Sequence, residues 1–169
     1  MRETREVKRY ATYHVMALAN LQEYIFASDS MKKLFIKTLF QAQYIYGFKL
    51  INYVIMDNHI HLLIAPVGEP EILSNIMRWL LGTFAKRFNG IFGRRGHVFY
   101  DRFKSKIVHN LDYLYTVFKY IVLNPVKAKL AKTIFTYKYS GLYQILQGDF
   151  RHVEKPSRIL QHFFPYLRI

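Results

Sequence analysis

A chain of 169 residues, 51% of them hydrophobic, is long enough for one well-packed core and too short for two ordinary domains, so it reads as a single domain over residues 1–169. Its 25 Lys and Arg against 11 Asp and Glu give a formal charge of +14, which excludes a balanced surface and points to a polyanionic partner; the 14 Tyr and 14 Phe beside that charge suit unstacked bases better than a membrane. The lack of cysteine excludes disulfides and thiolate metal sites, and with a charged start and no run long enough to span a bilayer, the expected setting is a reducing cytoplasm. A solvated surface over an aromatic core is the plainer reading that composition leaves open.

Residues 10–18 are β-rich. Ser28, Asp29 or Ser30 can then cap a helix whose apolar positions Met31, Leu34, Phe35, Leu39 and Ala42 follow helical spacing, and Gly47 ends it. Residues 48–56 and 59–65 read as two strands joined by Asp57 and Asn58, residues that tolerate the left-handed conformations of a tight hairpin. Pro66 and Pro70 bracket a loop before a second helix, residues 71–88, in which Trp79 belongs to the apolar stripe and reads as core. The loop Gly93-Arg94-Arg95-Gly96 precedes a strand over residues 98–108, and a third helix runs from about Leu111 to Asn124, where Pro125 disfavours continuation. A short helix, Gly141 to Leu146, precedes a tail, residues 148–169, whose arrangement the sequence does not fix. The order β, α, β, β, α, β, α predicts an α+β, ferredoxin-like plan: an antiparallel sheet of about four strands with helices packed on one face.

His59 and His61 alternate along a short strand, so their side chains leave one face while Ile60, Leu62 and Ile64 leave the other. Their roots lie about 6 to 7 Å apart, close enough to converge on one ion, although two surface histidines would show the same spacing. In the third helix the apolar stripe is Leu111, Leu114, Tyr115, Phe118, Ile121 and Val122, and Tyr120 points almost opposite it. Asn124, one turn on, shares its face. A phenol can be a nucleophile and an amide a neutral oxygen ligand; an exposed Tyr is also often only a surface residue. Arg102, Lys104 and Lys106 alternate along the fourth strand, with Arg94 and Arg95 in the loop before it, which suits either phosphate contact or a charged, solvated edge. His97 reads as a DNA-contacting or a structural residue, and His14, His109, His152 and His162, which show no convincing partner in the sequence, read as structural.

The ordered motifs Tyr13-His14-Val15, Tyr46-Gly47-Phe48, Tyr53-Val54-Ile55-Met56-Asp57-Asn58-His59-Ile60-His61-Leu62-Leu63, Gly96-His97-Val98-Phe99, Arg102-Phe103-Lys104-Ser105 and Tyr120-Ile121-Val122-Leu123-Asn124-Pro125-Val126 resemble the IS200-like transposases, and their Asn-Pro ending resembles the REP-associated tyrosine transposase branch. The resemblance covers roughly residues 10–147. It implies a His-hydrophobic-His nuclease in which Tyr120 attacks a phosphodiester of single-stranded or hairpin DNA and becomes joined to the 5′ phosphate, with His59, His61 and Asn124 at the positions of the ligands to Mg²⁺ or Mn²⁺. It also implies a monomer or a homodimer. Ala17-Leu18-Ala19-Asn20 departs from the family's usual Arg-Gly-Asn-like stretch, and Lys129 stands where a Gly is common. Two other readings are a non-catalytic DNA- or RNA-binding module on the same fold, and a replication initiator or plasmid relaxase, which usually needs a larger chain.

Overall fold

The computed structural model describes residues 8–69 and 71–168. Pro70, one of the two prolines expected to bracket the loop before the second helix, lies outside them. The elements in chain order are β1 (Tyr13–Leu18), α1 (Asp29–Tyr46), β2 (Lys49–Ile55), β3 (His59–Ala65), α2 (Ile72–Phe92), β4 (Lys104–Ile107), α3 (Leu111–Lys127), α4 (Gly141–Leu146) and α5 (Arg158–Phe163). The four strands form one antiparallel sheet in the order β2-β3-β1-β4.

Strand alternation gives the sheet two unlike faces. On the first, Tyr13, Val15 and Ala17 of β1 lie opposite Ile64, Leu62 and Ile60 of β3, and all six are buried. α1 covers this face, its Phe40 ring 6.3 Å from that of Tyr53, which pairs with Leu62. α2 packs beside α1, and Phe26, Phe35 and Phe84 meet at centroid separations of 5.0 to 5.2 Å. On the second face His14, Met16 and Leu18 lie opposite Leu63, His61 and His59, and Lys106 and Lys104 lie opposite His14 and Met16. The α+β plan and the four antiparallel strands are as the sequence predicts, with α1 and α2 together on one face; α3 adds cover on the other, where Tyr120 meets the histidines.

Local signals explain most boundaries. Ser28 caps α1, its Oγ accepting from the Met31 N–H at 3.3 Å, and Gly47 closes it at φ 66°. The hairpin turn differs from expectation, since neither Asp57 nor Asn58 has a positive φ. It is held from outside: the Asp57 carbonyl accepts from the Phe26 N–H, the Asn58 carbonyl from the Ala19 N–H, and Nζ of the buried Lys32 lies 2.6 Å from Asp57 Oδ1. Tertiary contacts replace left-handed backbone as the source of the turn.

β1 begins at Tyr13 rather than at Tyr10, and three later elements also depart from their predicted lengths. α2 runs four residues past Phe88, where the Phe92 ring packs at a tilt against that of Phe88 at 4.7 Å before Gly93 closes the helix at φ 60°. The strand over residues 98–108 shrinks to Lys104–Ile107 because the pairing breaks: β1 and β4 match up to Met16↔Lys104, and the next contact is the single bridge Ala19↔Phe99, which leaves two extra residues on the later strand. α3 continues through Pro125 to Lys127. Only one donor is lost there, and the Pro125 carbonyl accepts from Leu130 N–H at 2.8 Å as the chain turns back through Lys129, held at φ 59°.

α4 occupies the predicted residues, capped by Ser140. The segment around it and the tail close the outer edge of β2: Ile55 N–H donates to the Tyr139 carbonyl, Tyr137 OH to the Ile55 carbonyl and Glu154 N–H to the Leu50 carbonyl. Phe164 packs on Phe118 of α3 at 4.9 Å, which fixes the tail that the sequence left open.

Candidate active site

The β3 alternation delivers His59 and His61 to the second face, and β1, paired beside it, delivers His14. His61 is 1% exposed. Its Nδ1 lies 3.0 Å from His14 Nε2, the two rings stacked at 5.1 Å, and its Nε2 is buried with no partner. His59 stands edge-on to His61 at 5.0 Å, and its Nδ1 lies 2.7 Å from Asn58 Oδ1. Burial pushes His61 down to about 3, with His14 and His59 adding to the effect, and His14 down to about 4, with Lys106 adding. His59 is also lowered by burial, against the pull of Asp57. All three imidazoles are therefore neutral at neutral pH.

α3 brings the phenol to this cluster. The Tyr120 ring lies edge-on to His61 at 5.1 Å and to His14 at 6.0 Å, and Tyr120 remains 41% exposed. The predicted helix phase needs adjustment: Val117 and Asn124 join the buried face, so Tyr120 stands at its margin rather than opposite it, tipped over the histidines while still open to a substrate. Asn124 is buried, its Nδ2 donating to the Tyr120 carbonyl at 2.8 Å, which leaves Oδ1 as the oxygen free to serve a ligand. Among the described residues no three His, Cys, Asp or Glu side chains form a ready cation cage, so any ion here needs an oxygen of another kind beside His59 and His61.

Residues 7–124 match the family described as transposase, IS200-like. The chain belongs to that family. The match ends on Asn124, so it spans both histidine-bearing strands and Tyr120. Among solved structures, a REP-associated tyrosine transposase bound to a REP hairpin is similar at a TM-score of 0.72 and 17% identity, over 94% of this chain and 93% of that one. A crystal structure of a transposase from Deinococcus radiodurans R1, also 17% identical, is similar at a TM-score of 0.50 over 72% of this chain and 95% of that one. No curated protein matches.

Within this transposase fold the basic residues separate into groups. Lys104 and Lys106 are exposed and lie on the histidine face, opposite Met16 and His14. Arg102 is exposed in the bend before β4, and Arg95 is exposed in the loop after α2. Arg94, grouped with Arg95 in the sequence, is instead paired with Glu23 through two hydrogen bonds of 2.6 and 3.0 Å and lies over the Phe88 ring. His97 is exposed. His152 is structural as read, stacked on Phe40 at 3.8 Å. Two residues of the cluster escape sequence reasoning. His14 reads as structural because its partner lies 47 positions away; the signal that finds it is its place in a strand of the same alternation. Lys127, whose Nζ lies 5.9 Å from the Tyr120 ring centre, falls beyond the predicted end of its helix. Among the described residues no helix is long and apolar enough to cross a membrane.

Proposed function

We propose that this IS200-like transposase is a metal-dependent single-strand DNA endonuclease and strand transferase that acts on hairpin-forming DNA with Tyr120 as its nucleophile. The observation that carries this reading is the meeting of an exposed phenol with a buried, neutral histidine pair on the one basic face of the sheet. The residues fit a hard divalent cation: His59 and His61 each have Nδ1 occupied and Nε2 left over, the Nε2 of His61 is an orphaned buried atom, and the Asn124 amide keeps its oxygen. His59, His61 and Asn124 would hold Mg²⁺ or Mn²⁺, which when bound offsets the charge that develops on the phosphate oxygens.

The chain's own residues do the rest. The Tyr120 oxygen attacks phosphorus and loses its proton; the bond from phosphorus to the 3′ oxygen breaks, and that oxygen takes up a proton and leaves as a 3′ hydroxyl. The segment on the 3′ side of the break stays on Tyr120 through its 5′ phosphate, as a phosphodiester. One ester has replaced another, so attack by a 3′ hydroxyl reverses the step without a nucleotide cofactor. Lys104 and Lys106 sit where the strand crosses the histidine face and neutralise its phosphates, with Arg95 and Arg102 extending the basic track. The Glu23 pairing of Arg94 makes it the weakest contributor among the five basic positions. The hairpin preference draws its support from the similar fold that is bound to one.

The test is a denaturing gel of end-labelled hairpin DNA with a single-stranded flank, incubated with Mn²⁺. A covalent adduct that maps to Tyr120 and disappears in His61→Ala is expected. A label on another tyrosine refutes the nucleophile, and binding with no adduct on any hairpin favours a non-catalytic binding protein.

A further inference from the structure

We propose that His14 is a positioning residue that fixes the tautomer and ring plane of His61 and so aims the bare Nε2 of His61 into the site. The inference rests on the reading of His59 and His61 as cation ligands and adds a third, non-ligating histidine to it.

The geometry begins with register. β1 and β3 pair Met16 with His61 and His14 with Leu63, which sets His14 diagonal to His61 on the same face, within reach of a ring-to-ring hydrogen bond. The bond is 3.0 Å from His14 Nε2 to His61 Nδ1, and the planes stand 27° apart. Between two neutral imidazoles so placed there is room for one proton. If His14 donates it, His61 must carry its own proton on Nε2, and that atom is buried with no acceptor. If His61 donates from Nδ1, Nε2 is an unprotonated lone pair. A buried N–H without an acceptor is the more costly of the two states, so the second assignment holds.

The result makes His61 match its neighbour. His59 has Nδ1 on Asn58 Oδ1, and the two ligand rings then share one design, Nδ1 tied to a protein acceptor and Nε2 left for the ion. His14 cannot be a third ligand through the atom nearest the cluster, because its Nε2 is engaged with His61. It differs from a plain packing residue too: a phenyl ring would fill the space but could not accept the Nδ1 proton.

The experiment uses the full-length protein labelled with ¹⁵N-histidine, free of metal, and reads the His61 tautomer by NMR in the parent, His14→Gln and His14→Phe. Mn²⁺ titrations on the same proteins, followed by electron paramagnetic resonance, read affinity without DNA or turnover. The parent should show His61 protonated on Nδ1. His14→Gln, whose amide oxygen still accepts, should keep that tautomer and most of the affinity. His14→Phe should lose the tautomer preference and bind Mn²⁺ about 10- to 100-fold more weakly, the usual cost of removing such a partner. A parent protonated on Nε2 overturns the proposal whether or not any variant folds, as does a folded His14→Phe that keeps the parent tautomer and affinity. Should the parent bind no Mn²⁺, the metal reading fails by itself, and the tautomer measurement still decides what His14 does to His61.

Discussion

The two faces of the sheet are made from the same four strands and have opposite characters. Along β3, Ile60, Leu62 and Ile64 go under α1 and α2 into a dry aromatic core, while His59 and His61 go the other way toward α3. One face needs volume and shape. The other needs particular atoms: a phenol oxygen, ring nitrogens in one protonation state, an amide oxygen. The difference teaches that burial alone does not tell core from chemistry here, since His61 is as inaccessible as Leu62. What separates them is the unmatched nitrogen, a cost that packing does not repay and a ligand would.

The sharpest way to break the comparison is to make the least disruptive change on each face. Tyr120→Phe removes one oxygen from a side chain at the margin of its helix face; melting should shift by no more than a few tenths of a kcal/mol, while the covalent adduct should vanish entirely. Tyr115→Phe is its control, because Tyr115 stacks on Phe164 at 5.1 Å, away from the histidines, and the adduct should persist. Leu62→Ala on the core face should do the reverse, costing about 2–5 kcal/mol in denaturant unfolding through the cavity it leaves. A Leu62→Ala protein of parental stability would mean that the two faces are not divided as described.

The histidine face should also declare itself in the pH dependence of stability. The unfolded chain takes up protons at His14 and His61 as pH falls through about 6.5, whereas the folded chain resists until about 4 and about 3. Below 6.5 the unfolded state therefore binds more protons, and metal-free stability should be full above that pH and decline steadily as pH drops toward 4. Urea midpoints measured from pH 7.5 to 4.5 check this, and a flat profile in that window would show that the cluster is not closed to protons. The smallest effect expected lies off both faces: Lys129→Gly relieves a left-handed residue at φ 59° and should raise stability by about 0.5–1 kcal/mol after the added entropy of an unfolded glycine. Unchanged or lower thermal stability in that variant would show that the Lys129 side chain offsets its own strain.

Much of this was legible in the sequence. The alternation around His59 and His61, a cap at one of Ser28, Asp29 and Ser30, and the Gly47 stop are local codes; the structure bears them out and selects Ser28 as the cap. Two departures have distant causes: the turn at Asp57 is held by Lys32 from another helix, and the strand before Lys104 breaks where its pairing partner falls out of step. The site follows the same rule. Tyr120 and Asn124 share one helix and so could be placed together, whereas the contact of His14 with His61 depends on which strand lies beside which, and one-dimensional spacing does not encode that.

The sheet has one closed edge and one open one. Segments around residues 139 and 154 occupy the hydrogen-bonding side of β2, while among the described residues no strand pairs with the outer side of β4. Any strand added to this sheet must therefore dock beside β4. That border is four residues long and carries Lys104 and Lys106, so it is short and charged, two properties that discourage edge-to-edge aggregation. The same two lysines that suit a polyanion keep copies of the protein apart at high concentration, and replacing both with apolar residues would turn a guarded border into a template for fibre growth.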